Sequence, residues 1–296
     1  EMEVVKMKRW IAVWLCIAVL FALYGTCVQA QVEEVVSLGA DLNQQQQEQM
    51  LKLFNVKADE VKIIKVTNQE ERDYLEGLVS SDKIGTRAIS SAYVAPLDEG
   101  EGLVVETHNI SWVTKEMYAN AMATAGIENA RVVAAAPFSV SGTAALTGIM
   151  KAFEEISGDE LDEEAKKIAN EELVTTGELG EDIGKDEAAA LIKEIKERII
   201  RERIKNPEDI KRIILEIAKE LNIQLTEEQI NQIIELMKKI SQLDLDIDKI
   251  TSQLKKITEG LDSIRKTVEE NKGILQRIWE AIQGFLKWVV SLFEGS

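Results

Sequence analysis

The sequence predicts an α/β N-terminal domain, a mixed sheet with helices, followed by an all-α helical bundle or coiled-coil region. Three observations carry this expectation. Strand-like and helix-like patterns alternate from residue 32 to residue 157. One segment among them, Ala130–Phe138 (ARVVAAAPF), is an apolar run of the kind that suits a strand buried on both faces. After Ser157 strand signals stop, Glu, Lys and Ile dominate, and apolar residues recur at spacings of three and four.

The elements follow in order. Val32–Leu38 is a short strand, and Asp41 or Asn43 caps a helix over Gln44–Phe54 with Met50, Leu51, Leu53 and Phe54 on one side. Val61–Val66 alternates as a strand, and Glu70–Val79 is a short helix. Ile84–Leu97 and Gly102–Trp112 flank Asp98-Glu99-Gly100-Glu101-Gly102, which is turn chemistry, so the two are expected to pair as a β-hairpin. Thr114 caps a helix that ends before Gly126. The buried strand Ala130–Phe138 leads into a helix over Gly142–Ile156 whose stripe is Leu146, Ile149, Met150, Phe153 and Ile156.

In the second half, Gly158-Asp159 and Thr175–Lys185 (TTGELGEDIGK) are expected breaks, and Ala188–Ile204 is helical. Asn206-Pro207-Glu208-Asp209 opens one helix, and Thr226-Glu227-Glu228-Gln229 is a capping box that opens the next. From Ile233 an apolar series passes through Leu236, Ile240, Leu243, Ile247, Ile250 and Leu254 and continues to Leu292, with one polar interruption at Asn271. Asp244, Asp246 and Asp248 are poor helix formers and good caps, so a break there, giving antiparallel helices, stands beside the reading of one long rod.

Composition bounds the function. The 296 residues carry 35 basic and 52 acidic side chains, a formal net charge of −17, and 45% hydrophobic residues. So much aliphatic content excludes a disordered chain. A pI near 4.7 argues against a nucleic-acid partner, because the field repels phosphate. Lys6, Lys8 and Arg9 precede an uncharged stretch, Trp10–Val28, and small residues stand at Val28 and Ala30. That tripartite pattern is expected of a secretory signal peptide cleaved after Ala30, with an uncleaved N-terminal anchor as the alternative. Without residues 1–30 the chain has 50 acids, 32 bases and neither cysteine, so no disulfide and no thiol nucleophile. The expected organisation is a signal peptide at 1–30, an α/β domain at 31–157, a helical domain at 158–272 and a C-terminal amphipathic helix at 273–296.

That last helix gathers Trp279, Ile282, Phe285, Trp288, Val289 and Phe293 on one side, with Arg277 and Lys287 offset by Glu280 and Glu294 on the other. It reads either as a surface for a membrane or a protein partner, or as a last helix folded against its own domain. The heptads also admit a homo-oligomer.

Candidate chemistry is sparse. Glu106 and His108, the only histidine, point to the same face of one strand and are the weak candidates for catalysis. Arg87, among small polar residues in IGTRAISS, is suited to clamp a carboxylate or phosphate, or else to pair with a nearby acid. The turn Ser139-Val140-Ser141-Gly142-Thr143 joins a buried strand to a helix, so Ser139, Ser141, Gly142 and Thr143 are anion-binding candidates. Ser141 as an ordinary N-cap accounts for the same turn. No spacing predicts a metal site or a cofactor.

Several strings look familiar: Ser37–Leu42 (SLGADL), Ile84–Ser91 (IGTRAISS), Asn109–Thr114 (NISWVT), Met117–Ala121 (MYANA) and Ala134–Ile149 (AAAPFSVSGTAALTGI). In order and wording the chain resembles the YpuA-like family of exported Gram-positive proteins of unknown function, from about Val35 to Leu261. The resemblance implies an extracytoplasmic protein of the cell envelope with a link to envelope stress, and it brings no catalytic residues. The expected function is therefore a non-enzymatic envelope protein acting as a binding module. Two alternatives stand beside it. One is a ligand-binding or hydrolytic enzyme using Glu106, His108, Arg87 and the Ser139–Thr143 turn in one cleft; the other is a self-assembling coiled-coil protein.

Overall fold

Five strands form one sheet in the order β2-β1-β3-β5-β4: β1 (Val35–Gly39), β2 (Lys62–Val66), β3 (Ser91–Pro96), β4 (Val104–Ile110) and β5 (Ala130–Val140). The computed structural model describes residues 34–77 and 84–255. Residues 1–30, with the expected signal peptide, and the C-terminal amphipathic segment at 273–296 lie outside the described residues, as do the heptads beyond residue 255.

β1 runs parallel to β2, and β4 runs parallel to β5. β3 is antiparallel to both β1 and β5, so it alone opposes the direction of the other four. The expected hairpin between β3 and β4 does not form, because β5 lies between them. The reason is burial. β5 is apolar on both faces from Val132 to Ala136 and takes an interior position, whereas β4 exposes Glu106, His108 and Asn109 and takes the edge. The Asp98–Gly102 turn becomes a crossover. Asn129 Oδ1 accepts hydrogen bonds from the amides of Gly100 and Gly102 at 3.1 and 3.2 Å and ties the crossover to the start of β5.

Helix α1 (Gln44–Phe54), opened by an Asn43 capping box, covers one face of the sheet with Met50 and Phe54 against Val36, Leu38, Tyr93 and Val133. The other face packs against α3 (Lys115–Thr124) and α4 (Thr143–Ser157), where Tyr118, Met122, Leu146 and Ile149 meet Val35, Val94, Val132 and Ala134. A short helix, α2 (Asn68–Leu75), is capped by Thr67 and lies beside α4.

Beyond Ser157, helix α5 (Glu163–Ile183) runs unbroken through Thr175–Gly180, where the sequence had suggested a break. Only Gly184 interrupts it before α6 (Lys185–Glu202). Gly177 is in the helix because Trp112 packs there: a Cβ at 177 would stand 2.4 Å from the indole ring. Helix α7 (Pro207–Glu220) starts at the Asn206 cap, and α8 (Glu227–Ile240) starts at the Thr226 capping box. Leu191, Ile195, Ile213, Ile217, Ile233 and Leu236 from α6, α7 and α8 build one apolar core. The heptad series does not continue as a rod. Helix α8 stops at Ile240, the chain turns, and Asp246 Oδ1 accepts from the amides of Asp248 and Lys249 to restart a helix that is described to residue 255.

The helices also complete the first core. Leu173, Val174, Ile250 and Leu254 join Tyr118 and Met122 within it. Gln253 accepts a hydrogen bond on its carbonyl from the Leu103 amide at 2.9 Å, and on Oε1 from the Asn129 amide at 2.7 Å. Between α3, α5 and α6, Lys196 Nζ donates to Glu172 Oε1 at 2.7 Å, to the Asn120 carbonyl at 2.8 Å and to Thr124 Oγ1 at 2.9 Å. Among the described residues, no helix is long and apolar enough to cross a membrane.

Candidate functional site

Where β5 passes into α4, Gly142 adopts φ 99°, a backbone that strains any other residue. A Cβ there would also stand 2.4 Å from Ile110 Cγ2 and 2.6 Å from the Tyr118 hydroxyl. Tyr118 is fully buried and donates its hydroxyl to the Gly142 carbonyl at 2.5 Å. Burial pushes its phenol far above the ordinary value, so it stays a neutral donor. Gly142, and not Ser141, is therefore the N-cap, and no side chain caps α4. Ser141 Oγ instead lies 3.3 Å from Thr143 Oγ1.

Thr143 Oγ1 donates to Glu71 Oε1 at 2.5 Å. Glu71 projects from α2 and is 1% exposed. Asn68 Nδ2 reaches its other oxygen at 3.4 Å. Burial raises the Glu71 carboxyl from 4.5 to about 7, against the lowering effects of Thr143, Asn68 and the Arg72 charge. Arg72 donates to Asn68 Oδ1 at 3.0 Å and to the Gly85 carbonyl at 2.5 Å, which pins the loop before β3 to α2. The same loop is tied to the end of β1, where Asp41 Oδ2 accepts from the Ala88 amide at 2.8 Å. Arg87 Nη2 donates to the Asp41 carbonyl at 3.2 Å.

These tethers enclose a pocket of about 260 Å³. Its walls are Ile84, Ile89, Val140 and Ala144, and its polar lining is Glu71, Thr86, Arg87, Ser90, Ser141 and Thr143. It sits at the C-terminal ends of the parallel strands β1 and β5 and over the N-terminus of α4, the place where open α/β sheets hold ligands. Arg87 has no carboxylate partner among the described residues. Ser90 is 5% exposed, and its hydroxyl has no hydrogen-bond partner among them.

Of the residues singled out in the sequence, the structure brings Arg87, Ser141 and Thr143 together and uses Gly142 for the turn beneath them. Ser139 is exposed on β5 and outside the lining. Glu106 and His108 are also outside it: both are exposed on the edge strand β4, and Glu106 pairs with Arg131 at 3.1 Å. The six apolar residues from Trp279 to Phe293 fall outside the described residues. Among the described residues, no group of three or more His, Cys, Asp or Glu side chains could hold a metal ion. Glu71 and Ser90 escaped the sequence reading. The available signal for Glu71 was its position four residues before Leu75, on the inward side of a helix that Thr67 caps.

A family model described as "Protein of unknown function (DUF1002)" matches residues 38–257, a span that contains every pocket residue. The protein named "Uncharacterized protein YpuA" from Bacillus subtilis (strain 168) is 43% identical over 263 residues, which cover 88% of this chain and 89% of that protein. No solved structure matches.

Proposed function

Since this chain belongs to the DUF1002 family of proteins of unknown function, we propose from its own geometry that it is a binding protein of the cell envelope, whose α/β part holds a small polar ligand in the pocket at Arg87. The observation that carries this reading is convergence. A guanidinium that meets no carboxylate among the described residues, a buried carboxyl, four hydroxyl residues and a helix N-terminus without a side-chain cap, drawn from segments far apart in sequence, line one small cavity. Its volume suits a ligand of metabolite size rather than a polymer chain. The reading as a hydrolase lacks its geometry, because Glu106 and His108 stand on β4 away from Arg87 and the Ser141–Thr143 turn. The envelope location is supported by the tripartite pattern of residues 6–30.

The test is ligand-induced stabilisation. The full chain and its Arg87→Ala variant are melted against a panel of amino acids, sugars and small phosphorylated or carboxylated metabolites. At least one compound is expected to raise the melting temperature of the wild type and leave the variant unmoved, because binding to the native state alone stabilises it. Equal shifts in both proteins, or none across the panel, defeat the pocket reading. Fractionation of cells that express the chain tests the location: recovery in the envelope or medium is expected, and recovery in the cytoplasm overturns it.

A further inference from the structure

We propose that a second cavity, between α2, α4 and α5, binds an uncharged polyhydroxylated ligand the size of one sugar ring. It shares no lining residue with the pocket at Arg87 and does not depend on it. The three helices border a cleft of about 390 Å³, within the range of small-molecule sites. Tyr74 comes from α2, Thr147, Met150 and Lys151 from α4, and Glu163 and Lys166 from α5. The α4 positions recur at spacings of three and four, so they share one face of that helix.

What singles this cleft out is a pair of buried polar atoms beside Met150. Thr147 is 2% exposed, and its hydroxyl has no hydrogen-bond partner among the described residues. Asn170 is 0% exposed. Its Nδ2 donates to the Lys166 carbonyl at 2.8 Å and meets Met150 Sδ at 3.9 Å, while its Oδ1 has no partner among those residues. Thr147 stands one helical turn before Met150, and Asn170 lies against its sulfur. Buried polar groups without partners are rare and costly, so two at one place ask for a ligand that satisfies them. The hydroxyl gives or accepts, whereas Oδ1 only accepts. A partner must therefore bring donors, and ligand hydroxyls fill both roles. Met150 is unbranched and adaptable, the side chain best suited to move aside and admit them.

The walls decide the charge of the ligand. Three lysines and four carboxylates line the cleft, and the inner ones are matched within the protein. Lys151 pairs with Glu70 at 2.5 Å and donates to the Lys65 carbonyl at 2.9 Å. Lys166 pairs with Glu163 at 2.6 Å and with Glu154 at 2.9 Å. Tyr74 donates its hydroxyl to Glu163 at 3.2 Å, which holds the ring at the cleft. Of the lining, only Lys167 and Asp73, exposed and of opposite sign, form no ion pair among the described residues. A charged ligand would have to compete with these pairs or lose its water without a counter-charge. Hydroxyls ask for neither, because paired carboxylates and ammonium groups keep spare lone pairs and N–H groups for them. Tyr74 and Met150 offer apolar surface to the C–H face of a ring.

The test is a saturation-transfer NMR titration of the full chain with N-acetylglucosamine and glucose, and with glucuronate and glucosamine as anionic and cationic counterparts in mildly acidic buffer. At least one neutral sugar is expected to bind, and the charged ones to bind about tenfold more weakly. Thr147→Val removes the hydroxyl and is expected to weaken the neutral sugar about tenfold, the worth of one buried hydrogen bond. The same change is expected to raise the melting temperature of the ligand-free chain, because an unpartnered hydroxyl is gone. A residue that served packing alone would not move the two readouts in opposite directions. Thr147→Ser restores the hydroxyl and is expected to recover most of the affinity. Neutral-sugar binding with this pattern supports the inference. Binding that Thr147→Val leaves unchanged overturns it, and assigns the sugar to the pocket at Arg87 if Arg87→Ala abolishes it. Equal losses in the Val and Ser variants also overturn it, since the hydroxyl then plays no part. Tighter binding of glucuronate or glucosamine overturns the uncharged ligand. No response to any of the four at millimolar concentration overturns the site and leaves its two buried atoms to water.

Discussion

Lys196 and Glu172 hide an ion pair with 0% and 1% of their side chains exposed, and Thr124 and the Asn120 carbonyl satisfy the remaining donors and acceptors. A satisfied pair of this kind adds little net stability, but a charge left without its partner is costly. Lys196→Met alone is expected to cost about 3–5 kcal/mol in urea unfolding, and the double variant with Glu172→Leu markedly less; a single-variant loss below about 1 kcal/mol would contradict this. At Gly177 two small effects compete. Alanine favours the helix by about 1 kcal/mol, but its methyl must displace the Trp112 ring, and overpacking costs about 1–3 kcal/mol. Gly177→Ala is therefore expected to lower the melting temperature, and a rise would show that Trp112 yields freely. Glu71 gives stability a pH dependence. Its folded value lies above the unfolded one, so the folded chain retains a proton that the unfolded chain releases. That advantage is complete below about 4.5 and lost as pH rises through about 7. Glu71→Gln is expected to gain on the wild type between pH 5 and pH 8, by at most about 3 kcal/mol in chemical denaturation.

The caps were the most legible elements in the sequence. Asn206 before Pro207 and the capping box from Thr226 to Gln229 open α7 and α8 as their local chemistry demands, because a cap acts within four residues. What local chemistry cannot encode is partnership. Asp98–Gly102 has the composition of a hairpin turn, yet β5, three elements along, claims the place between β3 and β4. TTGELGEDIG has the composition of a break, yet only Gly184 makes one; Gly177 and Gly180 lie inside α5, and Gly177 admits a tryptophan from 65 residues earlier. The pocket divides in the same way. Arg87, Ser141 and Thr143 stood out by residue type, while Glu71 looked like one more acid on a solvated helix and acquired its character from burial. The element that holds Glu71 is short, so its cap matters. Thr67→Ala is expected to cost about 1 kcal/mol and to speed amide exchange over residues 68–71; protection unchanged from the wild type would show that α2 is held by packing alone.

At the scale of the molecule, the sheet and the later helices share apolar contacts. Leu173, Val174, Ile250 and Leu254 lie among the residues of the first core, and Lys196 reaches back to α3. The described residues are therefore expected to unfold in one calorimetric transition, and two resolved peaks would contradict that. The bonds made by Gln253 carry a further consequence for how the molecule is made. The amide of Leu103 and the amide of Asn129, which fix the crossover on the rim of the sheet, find their acceptors 150 and 124 residues downstream. A nascent chain emerging from the ribosome in order cannot complete that rim until residue 253 has been synthesised. Closure of that rim therefore waits on Gln253, however early the strands beside it are made.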